Sequence, residues 1–217
     1  LAEGEIHGQN GGYPIAIALS NDAVKLAVSM ININEGSVKS TIAFYNYGTV
    51  GQNEIDHCVG VNNYDDMVIP EMEFTSNDRM VAFGDTKAVI FEGAQKPQAI
   101  AEIPMDEKTK SIFYNEHYIG IVTGNEDEAV TNHLAVYDEN GKLVMEKDFG
   151  LDYSSIEFLT NNEICIRNAN VCDIYTVHGV YKFHHEFEEE LFEIIPGKLK
   201  LNYTLVLKDT TQRIRLK

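Results

Sequence analysis

Three glutamates stand at one position relative to the ends of three apolar runs. Glu73, Glu157 and Glu193 each lie three residues before the closing residue, Ser76 in "PEMEFTS", Thr160 in "SIEFLT" and Pro196 in "FEIIP". Carboxylates brought to one level raise one another's pKa and attract cations. Two of them about 5–9.5 Å apart across an open pocket are the acid and base of glycoside hydrolysis. These three are therefore the ligand-binding candidates. The competing reading is a wet strand rim, where any polar residue serves.

Two cysteines form a second constellation. In "EICIRNANVCDIY" a loop around Asn168-Ala169 places Arg167 opposite Asn170, and this register sets Cys165 opposite Cys172. Directly opposed residues on antiparallel strands have Cα atoms about 4.5–5.5 Å apart, within disulfide range. The expectation is two facing thiols, an inert pair with a disulfide possible but not required, and Cys58 is too remote in sequence to be placed beside them. Three cysteines without a Cys-x-x-Cys fit neither a disulfide scaffold nor a zinc site. The neighbouring His184 and His185 face opposite sides of a strand, so they do not chelate one ion together. The acidic stretches "NNYDD" (62–66) and "NEDE" (125–128) lack the alternation that aims oxygens at calcium and read as solvated loops. Phosphate loops, zinc-hydrolase helices and nucleophile elbows are absent, and no motif asks for a cofactor.

The elements that position these residues repeat along the chain. A first strand ends at Ser20, Ser76, Asn115, Thr160 and Pro196, a mean spacing of 44 residues. Each is followed by a polar turn, spelled Ser-Asn-Asp in the first two units, and then by "KLAVSMINI", "RMVAFG", "YIGIVTG", "EICIR" or "YTLVLK". Third strands follow in "TIAFYN", "AVIFEG", "LAVYD", "CDIYTV" and "QRIRLK", and four units add a more polar fourth: "EIDHCVG", "QAIAEIP", "LVMEKDFG" and "YKFHHEFE". Four short strands per unit at this period specify an all-β fold, a β-propeller of five repeats. The units span about 12–60, 66–104, 110–150, 154–190 and 191–217 of a single domain. The fifth lacks a fourth strand, and "LAEGEIHG" (1–8) is a candidate closing strand. The ring is then either a closed five-bladed one or the last five blades of a larger propeller. Apolar residues next to the carboxylate level, Ala18, Phe74, Phe113, Phe158 and Ile194, face the opposite side of each first strand and are expected to pack neighbouring blades together.

The periodicity resembles that of WD-repeat and quinoprotein-like domains, although the chain has no Trp. The stretches "FYNYGTVGQNEID", "VIPEMEFTSNDRMVAFGD", "SIFYNEHYIGIV", "DIYTVHGVYKF" and "RIRLK" carry a closer likeness. Through them the chain resembles a family of uncharacterised bacterial proteins in which a propeller-like ectodomain follows one N-terminal membrane anchor. The resemblance implies a location outside the cytoplasm, at the cell envelope, and a longer native chain. It implies no chemistry.

Charge narrows the partners. Lys+Arg 17 against Asp+Glu 34 gives a net −17, and such a field repels nucleic acid and anionic lipid surfaces. There is no apolar run of about 18 residues, so this chain supplies no membrane-spanning helix. Position 1 is Leu, which points to a processed, engineered or partial chain. The leading reading is a non-catalytic, extracytoplasmic binding or sensing module for a protein or glycan partner. The alternative is a glycan-binding or glycoside-hydrolase-like propeller using Glu73, Glu157 and Glu193.

Overall fold

The computed structural model describes residues 11–34, 36–46, 58–124 and 132–216. Among these there are nineteen strands and no α-helix, hence no helix long and apolar enough to cross a membrane. The chain divides into two compact units, Leu1–Glu107 and Lys108–Lys217. In the first, β1 (Tyr13–Leu19), β2 (Lys25–Asn34), β3 (Ser37–Asn46) and β4 (Cys58–Asp65) form one sheet. The second sheet of that unit contains β5 (Glu71–Ser76), β6 (Arg79–Phe83), β7 (Lys87–Glu92) and β8 (Gln98–Pro104).

The second unit has three sheets. One holds β9 (Thr109–Tyr114), β10 (Tyr118–Gly124), β11 (Asn132–Asp138) and β12 (Leu143–Phe149). The next holds β13 (Ser155–Phe158), β14 (Glu163–Asn168), β15 (Val171–Thr176) and β16 (Tyr181–Glu186). The last comprises β17 (Leu191–Pro196), β18 (Asn202–Leu207) and β19 (Thr211–Arg215), three strands among the described residues. Every sheet is an antiparallel meander of consecutive strands, as the repeat predicts. The segment 1–8 and the acidic stretch 125–128 lie outside the described residues.

Burial explains the strand spelling. The middle strands are covered on both faces, so β7 reads Ala88-Val89-Ile90-Phe91 without alternation, all four fully buried. Outer strands have one wet face and alternate. Sheets then pack through aromatic and aliphatic contacts. Phe44 meets Phe91 edge to face at 5.2 Å in the first unit, and Phe113 meets Phe158 at 4.5 Å in the second. Ala18, Phe74, Phe113 and Ile194 are buried, whereas Phe158 is half-buried beneath Phe113 and Tyr118.

Polar turns fix the registers. Ser20 Oγ donates to Asp22 Oδ1 (2.6 Å) and accepts from the Lys25 amide (2.9 Å), so β2 starts at Lys25. Asn115 Oδ1 takes the amides of His117 and Tyr118, both at 2.8 Å, before β10. Side chains that mimic backbone acceptors are what Ser, Asn and Asp supply in turns.

Two expectations need correction. The stretch "NNYDD" is not a loop: Asn62–Asp65 belong to β4, which runs further than the expected "EIDHCVG". Asn63 accepts from Thr41 across the ladder, and Asp65 pairs with Lys39 at 3.1 Å. In the β14–β15 hairpin, Arg167 lies opposite Cys172 and Cys165 opposite Ile174, a two-residue shift from the expected register. The turn falls on Ala169-Asn170, with Ala169 left-handed at φ 46°. The segment after β16 holds it there: Phe187 N donates to Asn170 O (2.7 Å), Asn170 Nδ2 to Phe187 O (2.8 Å), and Leu191 N to Ala169 O (2.9 Å). Because side chains alternate with period two, an even shift keeps both cysteines on one face.

Candidate binding site

Sequence and turn chemistry bring three polar side chains together at the fourth and fifth sheets. The turn Thr160-Asn161-Asn162 ends with Asn162 at φ 60° and its amide on Leu159 O, so that Glu163 opens β14. Glu163 is buried. Lys182, from β16, donates to Glu163 Oε1. Tyr203, from β18 and only 2% exposed, donates to Glu163 Oε2 at 2.5 Å and lies 3.4 Å from Lys182 Nζ.

These contacts set the protonation states. Burial pushes the Glu163 carboxyl up, but hydrogen bonds from Lys182, Tyr203 and Asn161 outweigh it and hold the pKa below its ordinary value. Burial first, and the Glu163 carboxylate second, push the Tyr203 phenol above its ordinary value. Glu163 is thus a carboxylate whose two oxygens are engaged, and Tyr203 holds its proton. The trio is an anchored ion pair, not a free acid–base couple.

A cavity of about 510 Å³ opens beside the trio, with Asn161, Glu163 and Lys182 on one side and the Gly197–Asn202 loop on the other. The loop separates it from a second cavity of about 470 Å³ lined by Thr204, Arg213 and Ile214. Gly197 N donates to Asn202 O (2.7 Å), and Asn202 Nδ2 returns to the carbonyls of Leu199 and Lys200 (3.2 Å each). Leu201 adopts a left-handed φ of 66°. These bonds turn Lys198, Leu199 and Lys200 outward, all three exposed.

The charge is segregated around this site. Residues 191–217 carry six Lys/Arg and two carboxylates, whereas residues 1–190 carry 11 and 32. The terminal sheet is cationic in an acidic protein. Counting charge by repeat rather than over the whole chain is the signal that finds it; nothing in the sequence singles out the Glu163–Lys182–Tyr203 contact, which joins three strands from two sheets.

The expected site residues lie on the first strands of three sheets, β5, β13 and β17. Glu73 is exposed on β5 in the first unit, and Glu193 is exposed on β17. Glu157 Oε1 lies 3.2 Å from the Arg167 guanidinium, close but not aligned as a hydrogen bond. Arg167 Nη1 also reaches Leu191 O at 3.4 Å. Neither Glu157 nor Glu193 lines these two cavities, nor those of about 350 and 340 Å³ beside His117–Asn162 and His185–Gln212.

Cys165 and Cys172 are fully buried free thiols in hydrogen-bonding contact, with sulfurs 3.6 Å apart, diagonal across the hairpin. The contact with Cys165, then burial, pushes the Cys172 thiol far above its ordinary pKa. His184 meets Asp173 at 2.7 Å while His185 contacts Phe183 and Phe187 through its ring. The described residues hold no group of three His, Cys, Asp or Glu placed for a metal ion.

Serial antiparallel meanders of three or four strands, packed through their faces within each unit, define a β-propeller architecture. The chain belongs to the family of unknown function DUF5711, which matches residues 1–216. No curated protein sequence matches it. Among solved structures it is similar to the β-propeller domain of the Trilobed protease from Pyrococcus furiosus, which has an open velcro topology. The TM-score is 0.53 at 9% identity, over 96% of this chain and 72% of that one. It is also similar to the AfRom2 CNH domain (TM-score 0.50, 12% identity, 95% and 69% covered). The Neurospora crassa Pan2 WD40 domain gives a TM-score of 0.49 at 6% identity over 92% of this chain. The chain spans 61% of the length of that WD40 domain, less than two thirds.

Proposed function

We propose that this chain is a non-catalytic binding or sensing module carried outside the cytoplasm at a bacterial cell envelope. The observation that carries the reading is the state of its best-placed carboxylate. Glu163 lines a ligand-sized cavity, yet both its oxygens are engaged by Lys182 and Tyr203. A general acid or base needs a proton to give or take at the reacting atom. This carboxylate stays ionised and occupied, so the cavity is equipped to hold a molecule rather than transform one. The propeller fold supports a binding role, and the sequence resemblance supports the location and a membrane anchor on the native protein.

The test pairs binding with turnover. The purified chain is melted in the presence of soluble envelope glycans while product release is followed in parallel. The expected result is a raised melting temperature with no product. Product formation that Glu157→Gln or Glu193→Gln abolishes would overturn the reading in favour of a hydrolase. For location, protease added to intact cells making the full-length protein is expected to remove this domain; complete protection in cells whose surface is accessible would contradict it.

A further inference from the structure

We infer that the cavity between Glu163–Lys182 and the Gly197–Asn202 loop binds a small anionic ligand through a phosphate or carboxylate group, an assignment that rests on the binding-module reading. The volume, about 510 Å³, lies within the range of small-molecule sites, roughly 300–1,000 Å³. Its electrostatics point one way. The single carboxylate in the wall, Glu163, is compensated by Lys182 and accepts a hydrogen bond from Tyr203. Lys198 and Lys200 then stand over the opening with no carboxylate partner among the described residues.

The field of the whole protein sharpens this. An anion is repelled by the 32 carboxylates of residues 1–190 and attracted where six Lys/Arg outnumber two acids. A cleft lined by one sign of charge concentrates its counter-ion. Arg213, across the loop in the second cavity, extends the same potential. Ammonium groups act as compact point charges without the planar fork of arginine, so they accept either phosphate or carboxylate. Leu199, 74% exposed between the two lysines, offers an apolar surface to the uncharged body of the ligand. A sugar acid or a sugar phosphate combines both features.

The test is calorimetric titration of the chain at low ionic strength with inorganic phosphate, glucose 6-phosphate, glucuronate and, as a neutral control, glucose. The first three are expected to bind more weakly as salt rises, and glucose is expected not to bind. Lys198→Ala/Lys200→Ala should weaken the anions about tenfold, the effect of losing two exposed ion pairs. That variant should melt like the parent, since both lysines are exposed. Lys39→Ala/Lys142→Ala, another exposed pair, should leave affinity unchanged. Equal binding of glucose and glucuronate overturns the anion assignment while leaving the module reading intact. No binding of any anion, or unchanged affinity in Lys198→Ala/Lys200→Ala, overturns the site. Ligand breakdown during the titration would instead overturn the module reading.

Discussion

The second strand of a blade begins with a buried charged residue in two places, and the signs are opposite. In the first unit it is Lys25, 5% exposed, which donates to Asn77 O at 2.7 Å and Asp78 Oδ1 at 2.6 Å on the neighbouring sheet. The Asp22 amide completes that junction through Asn77 Oδ1 at 3.0 Å. In the second unit the residue is Glu163, 7% exposed, tied to Tyr203 of the next sheet and to Lys182 of its own. Both clamp one blade to the next. They differ in what lies beside them. Lys25 is joined to a turn that closes over it, whereas Glu163 forms the wall of a cavity whose far side is a cationic loop. One position in the repeat thus serves as a structural bolt in one unit and as the base of a receptive pocket in the other.

The largest expected effect is at the pocket. Glu163→Ala leaves Lys182 and Tyr203 buried without their shared acceptor and should destabilise the protein by about 2–4 kcal/mol in chemical denaturation. A loss below about 1 kcal/mol would show that the trio is not a clamp. Lys25→Ala should cost somewhat less, about 1–3 kcal/mol, because its partner Asp78 is 56% exposed and regains water. A reversed order would break the comparison. Asn115→Ala, in the equivalent β9–β10 turn of the third sheet, removes the hydrogen bond to Asn162 Oδ1 beside the fourth sheet (2.9 Å) and the turn contacts. It should cost about 1–2 kcal/mol.

Acidity separates the junctions further. The Glu163 pKa is lowered by folding, so its contribution is complete above the ordinary carboxylate range and is lost as pH falls through the folded-state value. Glu163→Gln should therefore flatten the dependence of stability on pH in that acidic window, relative to the parent. Identical pH profiles for the two proteins would contradict the lowered pKa. The smallest signal is chemical: Cys165 and Cys172 should not react with a thiol reagent in the native state and should both react on unfolding, with or without prior reductant. A reductant-dependent increase of two thiols would mean that they had been joined.

The sequence makes the fold legible because its information is local. Each strand is four to ten residues long, the turns after the first strands of the first four units carry Ser, Asn or Asp, and the unit recurs often enough for its period to be counted. The hairpin register was less legible, since "RNAN" offers two turn centres and contacts from Phe187 and Leu191 decide between them. Phe158 reads as core, yet its edge position in a four-residue strand leaves it half-buried. The pocket was illegible for a different reason. Its residues come from β14, β16 and β18, separated by up to 40 positions, and only folding brings them within hydrogen-bonding distance. Glu157 shows the converse: a carboxylate aligned by counting, but paired with Arg167 and away from the cavities.

The most direct test of the comparison is a residue-resolved amide NMR titration of the chain with glucuronate. The account predicts saturable shifts at Asn161–Glu163 and Gly197–Asn202, with Ser20–Lys25 and Asn77–Asp78 unmoved. Equal shifts at both junctions, or movement at the Lys25 junction alone, would contradict the claim that one is closed and the other receptive.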